Sequence, residues 1–219
     1  MKQMVAMALE EDLGTGDCTS ESSVPRDLVH EGFVLAKEQG IVAGIEVARY
    51  VFELVDKDVV FEPLVEDGSA VEVGDTILRL KGQARSILSG ERLALNFMQR
   101  MSGVATMAHQ ATKVLEGTGA QVLDTRKTTP GLRAFEKWAV SLGGGANHRM
   151  GLYDMILIKD NHVDYAGSMS AALRGVKHYF DQGHPRVPVV VEVRSLEELR
   201  EALTSSAQEL SLIHISEPT

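Results

Sequence analysis

Hydrophobic and polar positions change rhythm once along this chain. Met1–Leu13 carries Val5, Ala8, Leu9 and Leu13 at helical spacing, which predicts a short amphipathic helix. Gly14-Thr15-Gly16-Asp17 breaks it, and Thr19–Ser23 reads as a polar loop. Glu31–Glu38 alternates weakly, as a strand does. Ile45, Ala48, Phe52 and Val55 mark a helix starting near Gly44. Val59–Phe61, Val71–Val73 and Thr76–Lys81 are short strands separated by the turn signals Asp67-Gly68 and Gly74-Asp75. Ser89 to about Gly117 reads as one long helix, apolar on more than one face, with Ser102-Gly103 a candidate kink.

Beyond it, strand and helix alternate three times. Gln121–Leu123 is a strand, and Leu132, Phe135, Ala139 and Leu142 mark a helix that Gly143-Gly144-Gly145 ends. Met155–Ile158 is a strand, followed by a helix from Met169 to Phe180 with Ser168 as its N-cap. Pro188–Val193 is a strand, and Ser195-Leu196-Glu197-Glu198 is a capping box opening a last helix. This is the pattern of consecutive βαβ units in an α/β fold. It places a domain boundary near Gly103.

Composition narrows the class without changing that picture. The chain has 219 residues and a formal net charge of −9, which argues against nonspecific nucleic-acid binding. Its one cysteine, Cys18, excludes an intrachain disulfide and fits a reducing, cytoplasmic setting. No apolar run approaches the ~18 residues of a membrane-spanning helix, so no membrane partner is expected.

Against that acidic background, Asp124–His162 is a basic island. It holds six Lys and Arg residues with His148 and His162 against four acids. Arg126 and Lys127 lie just past one predicted strand, and Lys159 just past the next. Groups in that position line the active sites of α/β folds. With His148 and Arg149 they form a candidate anion pocket, since arginine forks and lysine ammonium groups suit carboxylates and phosphates. Glu192, within an otherwise apolar strand, needs a partner, and Mg²⁺ or a substrate hydroxyl would serve. Arg92 lies among apolar neighbours, and its spacing alone favours a snorkelling surface arginine. His148 and His162 lack metal-ligand spacing, and no P-loop, GxGxxG, GxSxG or HExxH motif occurs. These residues leave the anion open: an enzyme acting on another anionic acceptor, or a noncatalytic binder of phosphorylated ligands, would use the same cations.

DTRKTTPGLR, GGGANHRMGLYDMILIKDNH and VVVEV, with EEDLGTGDCTS, AGIEVA and GERLALNFMQRMSGVAT before them, resemble the quinolinate phosphoribosyltransferase family (nicotinate-nucleotide pyrophosphorylase, carboxylating). The resemblance runs in order over nearly all of residues 9–210. It implies an N-terminal α+β sandwich domain over 1–103, with the long helix, and a partial parallel α/β-barrel domain over 104–210. It implies transfer of phosphoribose from phosphoribosyl pyrophosphate to quinolinate with decarboxylation, in NAD biosynthesis. It implies Mg²⁺ as cofactor and a homodimer with shared active sites. The family's substrate-binding positions fall on Arg92, Thr125, Arg126, Lys127, His148, Arg149, Lys159 and Glu192. The resemblance implies Lys127 and Glu192 as the catalytic pair, with Glu192 also the metal ligand. Arg92 matches an arginine lent across the dimer.

The segment 211–219 departs from the family's pattern, which continues into a further strand, a second carboxylate and a Ser-Gly-Gly phosphate loop. The chain therefore reads as a truncated enzyme with a non-family tail. The expectation is an open three-strand sheet whose last strand has an unpaired edge, and no transferase activity.

Overall fold

The computed structural model describes residues 1–206 and 210–215. The chain forms two compact units, Met1–His148 and Arg149–Thr219. In the first, helix α1 spans Lys2–Leu13 and buries Val5 and Leu9. The polar run after it is a one-and-a-half-turn helix, α2 (Cys18–Ser23), and not the expected loop. Asp17 is the reason: its carboxylate accepts the amide hydrogens of Thr19 and Ser20, satisfying donors that a helix start leaves open.

Strand β1 (Val29–Leu35), β2 (Gly40–Ile41), helix α3 (Ile45–Val55), β3 (Val60–Pro63), β4 (Ala70–Val71) and β5 (Thr76–Gln83) follow. They make an antiparallel sheet in the order β1-β5-β3 and a small β2-β4 pair. Helix α3 turns Ile45, Val47, Ala48, Val51 and Phe52 into the core, each large side chain contributing roughly 1.5–3 kcal/mol on burial. Asp67 caps its start, accepting from the Ile45 amide at 2.9 Å.

Helix α4 runs unbroken over 31 residues, Ala84–Val114. It crosses α3 at Gly90, where a Cβ would meet the Phe52 ring at 2.7 Å, so only glycine allows this approach. The candidate break at Ser102-Gly103 does not interrupt it. Ser102 Oγ instead accepts the Ala43 amide at 2.9 Å and donates to the Ala43 carbonyl at 3.2 Å. A single interior glycine costs a helix only about 1 kcal/mol, which the packing on both sides outweighs. The compact units of the structure part at 148/149. Helix α5 (Arg133–Leu142) completes the first unit. Gln121–Leu123 is not a strand of a sheet. Among the described residues it makes one parallel bridge, Leu123 to Ala146.

The second unit holds a parallel sheet of three strands, β6 (Ile156–Ile158), β7 (Val189–Val193) and β8 (Leu212–Ile215). Helices α6 (Asp160–Ala166), α7 (Met169–Asp181) and α8 (Leu196–Ser206) connect and flank them. The core gathers Ile158, Met169, Leu173, Val189, Val191 and Val193. Ser168 caps α7 as expected, its hydroxyl accepting from the Ala171 amide. Among the described residues the sheet is open, with no closed barrel. The edge of β7 expected to be unpaired is covered, because Leu212–Ile215 adds as β8 in parallel register, with Glu192 opposite His214. The apolar residues Leu212, Ile213 and Ile215 supply a strand where the sequence suggested only a tail.

Candidate functional site

The two units carry separate sets of the candidate residues. In the first, the bridge at Leu123 directs the chain into Asp124-Thr125-Arg126-Lys127. Asp124 is the anchor of this loop. Its side chain is only 5% exposed and is paired with Lys137 Nζ, itself 1% exposed. The same carboxylate oxygen accepts the His148 amide at 2.8 Å. With its amide nitrogen facing the acceptors, Asn147 donates to Asp124 Oδ2 at 2.6 Å and to the Lys137 carbonyl at 2.8 Å. One buried carboxylate thus joins Thr125–Lys127, His148 and helix α5.

The far end of the loop is held from the same helix. Arg133 Nε donates to Thr128 Oγ1 at 3.1 Å. Glu136 Oε2 accepts the Thr129 amide at 3.1 Å, and Glu136 Oε1 takes Arg100 at 2.5 Å. Burial pushes the Glu136 carboxyl upward. Hydrogen bonds from Arg100 and Thr129, with the Arg100 charge, outweigh that and hold it below the usual glutamate range. Helix α5 is itself fixed by its end: Gly143 packs on α4, where a Cβ would collide with the Ala105 carbonyl and lie 2.8 Å from Ala108 Cβ. The triple glycine therefore serves helix termination and close packing.

The side chains between these anchors are left for other partners. Thr125 Oγ1 accepts the Lys127 amide at 3.0 Å and tightens the turn. Lys127 is exposed, and its ammonium has no bonded partner among the described residues. Arg126 is half-buried, and its Nε is a buried donor without a hydrogen-bond partner. Buried donors are almost always satisfied. Arg92 is exposed on α4, also without a bonded partner among the described residues. Lys137, one of the six cations of the island, is the one whose structural role the sequence does not announce. Its burial and pairing with Asp124 remove it from any role at the surface.

In the second unit, Arg149 is half-buried and donates to the Met155 carbonyl at 3.4 Å. Asp154 shapes the turn between them, accepting the amides of Met150 and Gly151 at 2.7 and 2.8 Å. Lys159 follows β6 directly. Its Nζ lies 3.5 Å from Glu192 Oε2 on β7, with side chains 44% and 18% exposed. His214 Nδ1 approaches the same oxygen at 3.5 Å. His162 is structural, its Nδ1 accepting the Lys159 amide at 3.1 Å at the start of α6. No group of three or more His, Cys, Asp or Glu side chains among the described residues could hold a metal. Glu192 fits Mg²⁺ only as a single carboxylate completed by oxygens of a bound ligand, a common way for Mg²⁺ to be held.

No helix among the described residues is long and apolar enough to cross a membrane. The chain is 45% identical over 209 residues to quinolinate phosphoribosyltransferase [decarboxylating] 2, mitochondrial, of Nicotiana glauca, covering 95% of this chain and 59% of that one. It is 42% identical to the probable nicotinate-nucleotide pyrophosphorylase [carboxylating] of Bacillus subtilis (strain 168), covering 94% of this chain and 70% of that one. Its structure superposes on the crystal structure of NadC from Streptococcus pyogenes with a TM-score of 0.92 at 36% identity, covering 99% of this chain and 75% of the other. The model of the quinolinate phosphoribosyl transferase N-terminal domain matches residues 17–102. That of the C-terminal domain matches 104–216, running past the point where the motifs end. An antiparallel-sheet part followed by a parallel α/β part, matched in this order along almost the whole chain, means that the chain belongs to the quinolinate phosphoribosyl transferase family.

Proposed function

We propose that this chain serves the transfer of phosphoribose from phosphoribosyl pyrophosphate to quinolinate, with loss of CO₂ and pyrophosphate, giving nicotinate mononucleotide for NAD biosynthesis. The observation that carries the reading is Arg126: a buried guanidinium nitrogen with no partner, beside the unpartnered Lys127. Leaving a buried donor unpaired costs about 1–3 kcal/mol, and a bound carboxylate would recover it. Quinolinate is a dianion with adjacent carboxylates and needs more than one fixed cation.

In this reading Arg126, Lys127, His148 and Thr125 hold the acceptor. Arg149 and Lys159 add positive charge for acceptor and donor phosphates. As pyrophosphate leaves, the sugar carbon becomes electron-poor and the pyridine nitrogen attacks it. The 2-carboxylate beside the resulting pyridinium departs as CO₂; the electrons of the broken C–C bond stay on ring carbon 2, next to N⁺, and take a proton from water. No protein nucleophile is required; position and charge suffice. Mg²⁺, with Glu192 as its one protein ligand, would neutralise charge building on the pyrophosphate. Lys127 and Glu192 would act as the catalytic pair. Arg92, exposed and unpaired on α4, would complete the site of a second subunit in a homodimer. The parallel part would belong to a larger α/β barrel.

The test is binding first and turnover second. Quinolinate is expected to bind the 219-residue chain at least about tenfold more tightly than nicotinate, one charge-assisted contact being worth ~1.5–3 kcal/mol. Equal affinity for the two, in a folded sample, would overturn the reading in favour of a different acceptor. Turnover, read as CO₂ from carboxyl-labelled quinolinate, is expected to need phosphoribosyl pyrophosphate and Mg²⁺ in a full-length family member carrying the same motifs.

A further inference from the structure

Resting on that reading, we infer that the buried Asp124–Lys137 pair positions the acceptor-binding cations, and that helix α5 acts as the jig for Thr125–Lys127 and His148. A buried ion pair is weak evidence for stability, since desolvation cancels much of its attraction. This pair does more than meet its own charges. Asp124 directly precedes the three loop residues, and its Oδ1 also takes the His148 amide. Lys137 comes from the middle of α5, whose Arg133 and Glu136 hold Thr128 and Thr129 at the other end of the loop. Helix α5 is seated in turn on α4 through Gly143. The loop is fixed at both ends by one helix, and the side chains between are those without internal partners, Lys127 and the Nε of Arg126. Asp124 and Lys137 touch no ligand in this scheme. They set where the ligand-facing charges stand, and a small misplacement of such groups is costly.

Single substitutions would leave one buried charge unpaired, so the decisive variant removes both: Asp124→Asn with Lys137→Met. Replacing a buried pair by neutral groups commonly preserves stability. The introduced methionine has no proton to donate to the introduced asparagine, and the start of the loop loses its tie to α5, while the bonds of Arg133 and Glu136 to Thr128 and Thr129 remain. The measurements are thermal unfolding, hydrogen exchange at the His148 amide and over 124–129, and quinolinate affinity by calorimetry. The expected result is a near-normal Tm, faster exchange at those amides with the β1-β5-β3 sheet unchanged, and quinolinate bound about tenfold or more weakly. A folded double variant with unchanged exchange at those amides and unchanged affinity overturns the inference, since a merely structural pair would behave so. If the double variant does not fold, Asn147→Ala carries the test. It leaves the ion pair in place and removes the donor to Asp124 Oδ2, with the bonds to the Lys137 carbonyl and Ser141 Oγ; about threefold weaker binding with faster His148 exchange is expected, and no change in either overturns the inference. A wild-type chain that does not bind quinolinate overturns the functional reading instead, and His148 exchange in the variants still decides the positioning role.

Discussion

The two units present their charges in opposite ways. Around Asp124 the polar groups are buried, multiply bonded and tied to a helix before any ligand arrives. Around Glu192 there is one 3.5 Å contact to a lysine almost half exposed, and a second to a histidine at the same distance. The first arrangement is preorganised; its geometry depends on interactions the ligand never sees. The second is loose, and its members gain most when a ligand or ion supplies what they lack.

The contrast is broken most sharply by stability. Lys137→Met alone strands the Asp124 carboxylate in the interior. It should cost about 3–5 kcal/mol, visible in denaturant unfolding. Lys159→Met, at a partly exposed pair of poor geometry, should change stability by about 0–1 kcal/mol. Similar losses for both would mean that burial does not separate the two pairs.

Next in size is ligand capture. Arg126→Ala and Lys127→Ala should each weaken quinolinate binding by ~1.5–3 kcal/mol. Their stability should stay within about 0.5 kcal/mol of wild type for the exposed Lys127. Binding that survives both substitutions would remove these residues from the site.

A third prediction concerns Arg92. Mixing Arg92→Ala subunits with Lys127→Ala subunits of a catalytically active family member carrying the same motifs should restore part of the activity lost by each. No recovery after subunit exchange would count against shared sites.

The smallest effect is on acid stability. Glu136 is held below its ordinary value in the first unit; burial opposes this and bonds from Arg100 and Thr129 prevail. Glu198 is held low in the second, chiefly by its hydrogen bond from Arg194. A carboxylate depressed on folding adds stability that is fully present above its unfolded pKa, about 4.3. That stability is lost as pH falls through the folded value. Glu136→Gln should therefore flatten the loss of Tm below about pH 4.3, whereas Tm at pH 7 should fall by the lost contact. An unchanged acid limb would show that Glu136 does not carry the linkage.

Much of this is legible in the sequence where periodicity and capping agree. Helices α3, α5 and α7 and strands β6 and β7 stand within a residue or two of their expected limits. The failures have separate physical causes. Helix α2 is too short for a periodic signal, and only its Asp17 cap announces it. Seven-residue α6 hides in the motif just past β6. Gln121–Leu123 has strand-like residues but one bridging partner, which no local pattern reveals. The cations at strand ends are readable because position past a strand is a local property. The role of Lys137 is not, since it follows Arg133 by four residues on a polar face that a helical wheel assigns to water. The available hint is Asp124, an acid within a basic island, at the end of an apolar run and in need of a partner.

Helix α4 has a consequence for how far insertions can be tolerated. Arg92 and Ala105, the residue against which Gly143 seats α5, lie on one uninterrupted helix. Thirteen residues of α-helix set them about 20 Å apart along the axis. The match between the two domain models falls between residues 102 and 104, inside that same rod. The helix therefore fixes the direction Arg92 faces relative to Ala105. One extra residue between 92 and 105 would lengthen the rod by only about 1.5 Å but turn Arg92 through about 100° relative to the loop. Loop segments of this fold can absorb length; α4 must keep its register, residue for residue.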